Sequence, residues 1–333
     1  VAFITTSKKT IVHVFLLTTS LLWSACRSDA NRCKDPANGM IPIYDLGVSP
    51  YRGYTGGLYP LGSNRIPASH FAAGMHQGSQ LQPLNGDGEP AADGLVGCMS
   101  LGYSTAAMTT QYVRFIHQIK QEWPELLIAN AAQAGKDLNA MTAADHAYWQ
   151  QSISMILEQG LTPEQVQIIW LSTSDATVYD LPFPEQPRVQ LDKYQTCLKL
   201  IREYFPNVRI VFVSDRAYGG YISEKSAFPL REPAAWYTSW SVKWLIEAQI
   251  NQEPGFGMDD LPFIDWGPTL WTDGSTGDSF GYTWSYYDAG KGGIHPSAKG
   301  RAKEATRLYL YLRNHPYLSQ HFGEVTSRDT TAN

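Results

Sequence analysis

LVGCMSLGYSTA, residues Leu95 to Ala106, is where the reading of this chain begins. A short apolar run passes through a knot of small residues into a helical pattern. Read as a strand that ends at Met99, the run leaves Ser100 at the turn, its hydroxyl lifted out of the sheet edge among the N–H groups of the next helix. A serine there also caps a helix, so the segment gains meaning only from what else reaches the same edge.

Working outward, the chain alternates apolar runs with amphipathic stretches. The runs at 94–99, 126–130, 166–171, 208–214 and 262–266 are short, rich in β-branched residues and bounded by Pro, Gly or Asn, as strands buried on both faces are. Between them Leu191, Tyr194, Leu198, Ile201 and Phe205 recur at helical spacing, and Trp236, Trp240 and Trp244 form a stripe read as core. Ser297 caps a last helix that turns Ala302, Ala305, Tyr309 and Leu312 inward. Strand and helix in series predict right-handed crossovers and an α/β fold with a parallel sheet covered on both sides. Ligands of such sheets lie at the carboxyl ends of the strands. There the sequence places Ser100, NAAQAGKD (130–137), STSD (172–175), SDRAYGGY (214–221), WGPTLW (266–271) and GGIHPSAKG (292–300).

Composition narrows the rest. A net charge of −5 with no cluster of Lys and Arg beyond the first residues gives no footprint for nucleic acid. The 333 residues suit one large domain with an extension. Lys8 and Lys9, an apolar run from Ile11 to Trp23 and small residues ending at Cys26 read as an export signal over residues 1–30, too short for a stable membrane span. LWSAC (22–26) resembles a bacterial lipobox, which implies lipidation and membrane attachment at Cys26; cleavage after Ala30 is the alternative. Either route predicts an exported protein of the cell envelope, periplasm or medium. Residues 31–93, rich in Gly, Pro and Asn, read as a loop-rich extension, 94–318 as the α/β domain, and 319–333 as a flexible tail. Cys33, Cys98 and Cys197 show no metal-type spacing, no other ligand cluster is evident, and no cofactor is expected.

The order of these motifs resembles the SGNH (GDSL-like) hydrolase superfamily, over about Leu95 to His315: a serine after the first strand, a glycine after the second, and HPSAKG before the last helix. The resemblance implies a three-layer α/β/α sandwich with a five-stranded parallel sheet, flavodoxin-like in order. It further implies serine esterase chemistry with Ser100 as nucleophile, His295 as base and Gly135 N–H in an oxyanion hole. That agrees with elementary chemistry, since a hydroxyl attacks an acyl carbonyl only when an imidazole takes its proton and fixed donors meet the developing oxyanion.

The chain departs from the family pattern twice. Gly292 stands three residues before His295 where the family has Asp, so the imidazole is expected to be oriented by a backbone carbonyl or by Asp288, Asp278 or Asp273, with Asp288 the first candidate. Asp175 stands where an asparagine is expected; an ionised Asp cannot donate, so either it is protonated, it faces away from the site, or Ser174 or Thr173 donates instead. The aromatic stretch with Trp266 and Trp271 either fills the core or lines a groove for a small-molecule or carbohydrate ester, an O-acetyl group among the candidates. A non-catalytic surface protein that binds such a ligand on the same scaffold is the competing expectation.

Overall fold

Five β-strands form a parallel sheet that runs through the described residues, 40–226 and 230–323, of the computed structural model. The strands are β3 (Val96–Gly102), β4 (Leu126–Asn130), β5 (Val166–Ser172), β6 (Ile210–Ser214) and β7 (Phe263–Trp266), preceded by a small hairpin of β1 (Pro50–Tyr51) and β2 (Tyr54–Thr55). Their order is β4-β3-β5-β6-β7, every neighbouring pair parallel. This is the flavodoxin-like order, with the first strand lying between the second and the third.

Side chains alternate across the sheet, as a period of two requires. Met99, Leu101, Ile169, Leu171, Val211, Val213 and Ile264 enter one core. Cys98, Ile168, Trp170, Ile210, Phe212 and Phe263 enter the other. The first core is covered by α5 (Ala147–Leu157), α6 (Glu185–Tyr204) and α7 (Ala234–Ile250), the second by α3 (Ser104–Lys120) and α8 (Ala298–Asn314). The result is a three-layer α/β/α sandwich. In α7, Trp236 and Trp240 of the tryptophan stripe are core, their ring centroids 5.8 Å apart and edge to face, while Trp244 packs against that core partly buried. Ser297 caps α8 by accepting from Gly300 N–H. Cys98 and Cys197 are buried free thiols.

The segment 40–93 has more order than a loop-rich extension implies. Besides the hairpin and a single turn, α1 (Ile43–Leu46), it carries the 12-residue helix α2 (Ala68–Ser79). The C-terminal residues differ from expectation for a connected reason. A Cβ on Gly74 would lie 2.2 Å from the Tyr317 ring and one on Gly78 2.1 Å from the Tyr317 carbonyl oxygen, so this i, i+4 glycine pair makes a seat on α2 that only the returning chain fills. Tyr317 is fully buried and donates to Asp265 Oδ2 at 2.8 Å, and His321 stacks on Trp123 at 4.7 Å. Of the expected tail, residues 319–323 are described: beyond the His321 stack, Gly323 N–H donates to Glu122 O at 2.7 Å. The expected export signal and Cys26 lie outside the described residues, and no helix among those described is long and apolar enough to cross a membrane.

Candidate active site

Strand β3 continues past Ser100 for two residues, through Leu101 to Gly102, because its neighbour β5 pairs with it as far as Ser172. Ser100 thus lies inside the ladder, opposite Asn130 of β4, and its hydroxyl donates to Asn130 Oδ1 at 3.0 Å. At 2 % exposure it is a satisfied core serine. The turn comes two residues later, at Gly102. Gly102 adopts φ +134° where a Cβ would meet Ser172 O at 1.9 Å, which only glycine tolerates. Its N–H donates to the Tyr148 hydroxyl at 2.9 Å, and its carbonyl accepts from Gln133 N–H at 3.0 Å. Tyr103 is extended, and Ser104 opens α3.

Ser104 Oγ lies 2.8 Å from His295 Nε2. The residue that faces the imidazole is therefore Ser104, not Ser100. His295 sits in a loop tied at its base by Ser297 N–H to Asp288 O (2.8 Å) and by Gly290 N–H to His295 O (2.7 Å). Gly292 and Gly293 take φ of +83° and +79°, and a Cβ on Gly293 would lie 2.0 Å from Tyr221 O, so the loop is pressed against the 221–222 backbone. Burial, then the Arg216 and Arg301 guanidinium groups, lower the His295 pKa from its ordinary 6.5. The ring is neutral at pH 7, and a neutral nitrogen at 2.8 Å can take the hydroxyl proton.

The other expected site residues fall differently. Asp288 does not meet His295. Its Oδ2 accepts from Ser285 N, Ser285 Oγ and Lys303 Nζ, each at 2.9 Å, tying the loop to α8. Burial opposes its ionisation, but Lys303 and Ser285 outweigh it and hold the carboxyl below its usual range. Among the described residues no carboxylate bonds to His295, whose ring contacts Ser104 Oγ through Nε2. Asp278 is likewise engaged, ion-paired with Arg307 at 2.9 Å.

Asp175 is completely buried and accepts from Asn139 Nδ2, Thr177 N and Thr177 Oγ1, each at 2.7 Å, and from Lys193 Nζ. Burial alone would raise its pKa; the Lys193 and Thr177 bonds reverse that and keep it ionised. It anchors the end of α4 (Leu138–Met141) to α6 and presents no donor. The Ser174 and Thr173 hydroxyls are enclosed with no hydrogen-bond partner and do not line the cavity beside Ser104. Trp266 and Trp271 are 1 % and 2 % exposed, their indole N–H groups donating to Leu58 O and Glu232 Oε1, so both are core and not groove.

Gly135 is the expectation that falls beside the Ser104–His295 pair. It is the third residue of a tight turn closed by Lys136 N–H to Gln133 O at 3.2 Å, with φ +72° and open space where a Cβ would stand. Its N–H donates to no backbone carbonyl among the described residues. Gly135, Ser104 and His295 line one cavity of about 150 Å³ with Tyr103, Ala134 and Arg216. Arg216, two residues past β6, was not singled out in the sequence. The signal available was its place at a strand's carboxyl end. Among the described residues no metal-ligating cluster occurs.

No protein-family model matches the chain, and no curated protein matches it in sequence. Among solved structures, a GDSL-like lipase candidate from Parabacteroides merdae is similar at 9 % identity with TM-score 0.40, covering 66 % of this chain and 98 % of that one. A carbohydrate esterase family 3 protein from Talaromyces cellulolyticus is similar at 12 % identity and TM-score 0.39, covering 65 % and 95 %. A lipase from a goat rumen metagenome is similar at 15 % identity and TM-score 0.35, covering 65 % and 97 %. Each likeness lies in the path of the backbone; what the site can do follows from its own atoms.

Proposed function

We propose that the protein is a serine hydrolase of carboxylic esters in which Ser104 is the nucleophile and His295 the general base. The supporting observation is the 2.8 Å contact between Ser104 Oγ and His295 Nε2 at the carboxyl edge of the sheet. As Oγ attacks the acyl carbon, its proton passes to Nε2 and the carbonyl becomes an oxyanion. Ser104 N–H, at the positive end of α3, and Gly135 N–H are the donors assigned to it. The tetrahedral species collapses as the imidazolium gives its proton to the leaving alcohol. Water then attacks the acyl-enzyme with His295 again as base, and Ser104 is regenerated.

The enzyme is exported, held on a membrane through Cys26 or released by cleavage after Ala30, and an O-acetylated carbohydrate is its candidate substrate. With Trp266 and Trp271 buried, the carbohydrate reading loses its stacking platform, which leaves recognition to the residues that line the cavity.

The test is turnover of short p-nitrophenyl esters together with labelling by a fluorophosphonate. Wild type is expected to turn over and label, Ser104→Ala to do neither, and Ser100→Ala to label like wild type. Loss of labelling in Ser100→Ala with retention in Ser104→Ala would return the role to Ser100. A folded wild type that neither labels nor turns over would favour a ligand-binding protein on this scaffold.

A further inference from the structure

Arg216 is the charged group whose surroundings are unfinished. It is 7 % exposed, its Nε has no hydrogen-bond partner, and among the described residues it forms no ion pair. The guanidinium lies 5.3 Å over the Tyr103 ring, which supports it from one side, and its backbone N–H is held by Thr238 Oγ1 at 3.0 Å. A buried cation without a counter-ion is costly to fold, and chains keep one where something anionic arrives.

The neighbouring carboxyls do not fill that place. Glu232 accepts from Gly219 N, Trp236 N and Trp271 Nε1. Glu304 accepts from Thr109 Oγ1 and shares with Arg216 a water-sized space of about 20 Å³. Burial pushes both carboxyls up to about 7, against the pull of Arg216 and their donors. Asp137 lines the cavity, but its oxygens accept from Asn139 N, Ala140 N and Ala176 N. The remaining lining beside Arg216, including Leu230, Ile294 and Ala176, is mostly apolar.

Sheet order gives the place its meaning. Gly135 follows β4, on one side of β3; Arg216 follows β6, on the other side and two strands away, roughly 10 Å at the usual strand spacing. Gly135 and the guanidinium thus flank Ser104 from opposite sides. Arg216 is placed to hold a second group of the substrate while the carbonyl turns to Ser104 and Gly135. One cation without an ion-pair partner suits a monoanion, and a planar guanidinium suits a carboxylate.

We propose that Arg216 is a specificity-determining residue that binds a carboxylate carried by the ester substrate, so that the preferred substrates are acidic esters and not neutral ones. This rests on the assignment of Ser104 as nucleophile. The test uses two matched pairs of esters: mono-p-nitrophenyl glutarate against p-nitrophenyl valerate, with the charge on the acyl side, and 4-acetoxybenzoate against phenyl acetate, with the charge on the alcohol side. In at least one pair wild type is expected to prefer the acid, and Arg216→Gln to reduce that preference by about 10- to 100-fold, chiefly through KM. Because the readout is a ratio, partial misfolding of the variant cancels. Arg216→Lys keeps the charge but loses the fork and is expected to fall between the two.

Equal ratios in wild type and Arg216→Gln for both pairs would overturn the proposal. So would an equal loss for acid and neutral esters, which would make Arg216 an oxyanion donor. Retention of mono-p-nitrophenyl glutarate or 4-acetoxybenzoate by Ser104→Ala in equilibrium dialysis, lost in Ser104→Ala/Arg216→Gln, reads the carboxylate site without turnover. It separates failure of this proposal from failure of the nucleophile assignment.

Discussion

Two serines four positions apart have opposite fates. Ser100 is on a strand buried on both sides, where a small hydroxyl is tolerated because Asn130 stands at the paired position to accept from it. Ser104 is at the first turn of α3, where the hydroxyl meets His295. The pH dependence of turnover follows from the same pair. Burial, with Arg216 and Arg301, lowers the His295 pKa; on the proposed mechanism the base is the neutral ring, so activity is expected above that pKa and is expected to fall as pH drops through it. The acid limb of kcat/KM is therefore expected below pH 6.5, and a limb centred above 7 would contradict the burial of the ring. His295→Ala should lower kcat by about 10²–10⁴-fold. Asp288→Asn, by contrast, should leave the midpoint of that limb in place, since its carboxylate bonds to Ser285 and Lys303; a shifted limb would tie it to the imidazole after all.

At the scale of elements, the site depends on how β3 hands over to α3. From Cys98 the strand stays in register with β5 to its last residue, and Gly102 lets the backbone turn where Ser172 O leaves no room for a Cβ. Gly102→Ala combines a backbone conformation hostile to alanine with a main-chain clash, and is expected to destabilise the fold by about 2–5 kcal/mol in urea denaturation. An unchanged midpoint would mean the turn is softer than its geometry implies. Here the sequence was legible in part. The strand and helix of LVGCMSLGYSTA were evident from their periods, yet a polar residue inside the apolar run reads as its end, and the true end is marked by Gly102. The difference is physical: the length of a parallel strand is set by its partners, and β5 lies more than sixty residues further along the chain.

At the scale of the whole molecule, the C-terminal residues close the second core. Tyr317 fills the seat made by Gly74 and Gly78 and bonds Asp265, which also accepts from Tyr59 at 2.8 Å. Tyr317→Ala is expected to cost about 3–5 kcal/mol, the size of a large aromatic removed from a core. A change under about 1 kcal/mol would mean that this segment does not belong to the cooperative unit. Beside it, burial takes the His315 pKa down to about 3. The folded value lies below the ordinary 6.5, so between those limits the unfolded chain binds the proton more readily, and stability falls as pH drops from 6.5 toward 3. Urea midpoints from pH 7 to pH 4 should decline less steeply in His315→Phe than in wild type, and parallel curves would assign the decline to other groups.

What the sequence by itself determined is the alternation of buried strands and amphipathic helices, hence a parallel sheet with its working edge at the strand ends. Those signals are local: periods of 2 and 3.6, β-branched runs and caps, each written within a few residues of where it acts. The glycine turn at Gly135 and the histidine at His295 were legible for the same reason, since each has its own short motif beside it. Only the tertiary structure decided that Ser104 and not Ser100 meets the imidazole, that Asp288 and Asp175 bond to lysines, that Trp266 and Trp271 are core, and that Arg216 reaches the cavity with its charge unmatched. Each of those outcomes is a choice between partners far apart in the chain, made by strand register and by which side chain is closed off from water. Neither can be read from the residues that stand next to it.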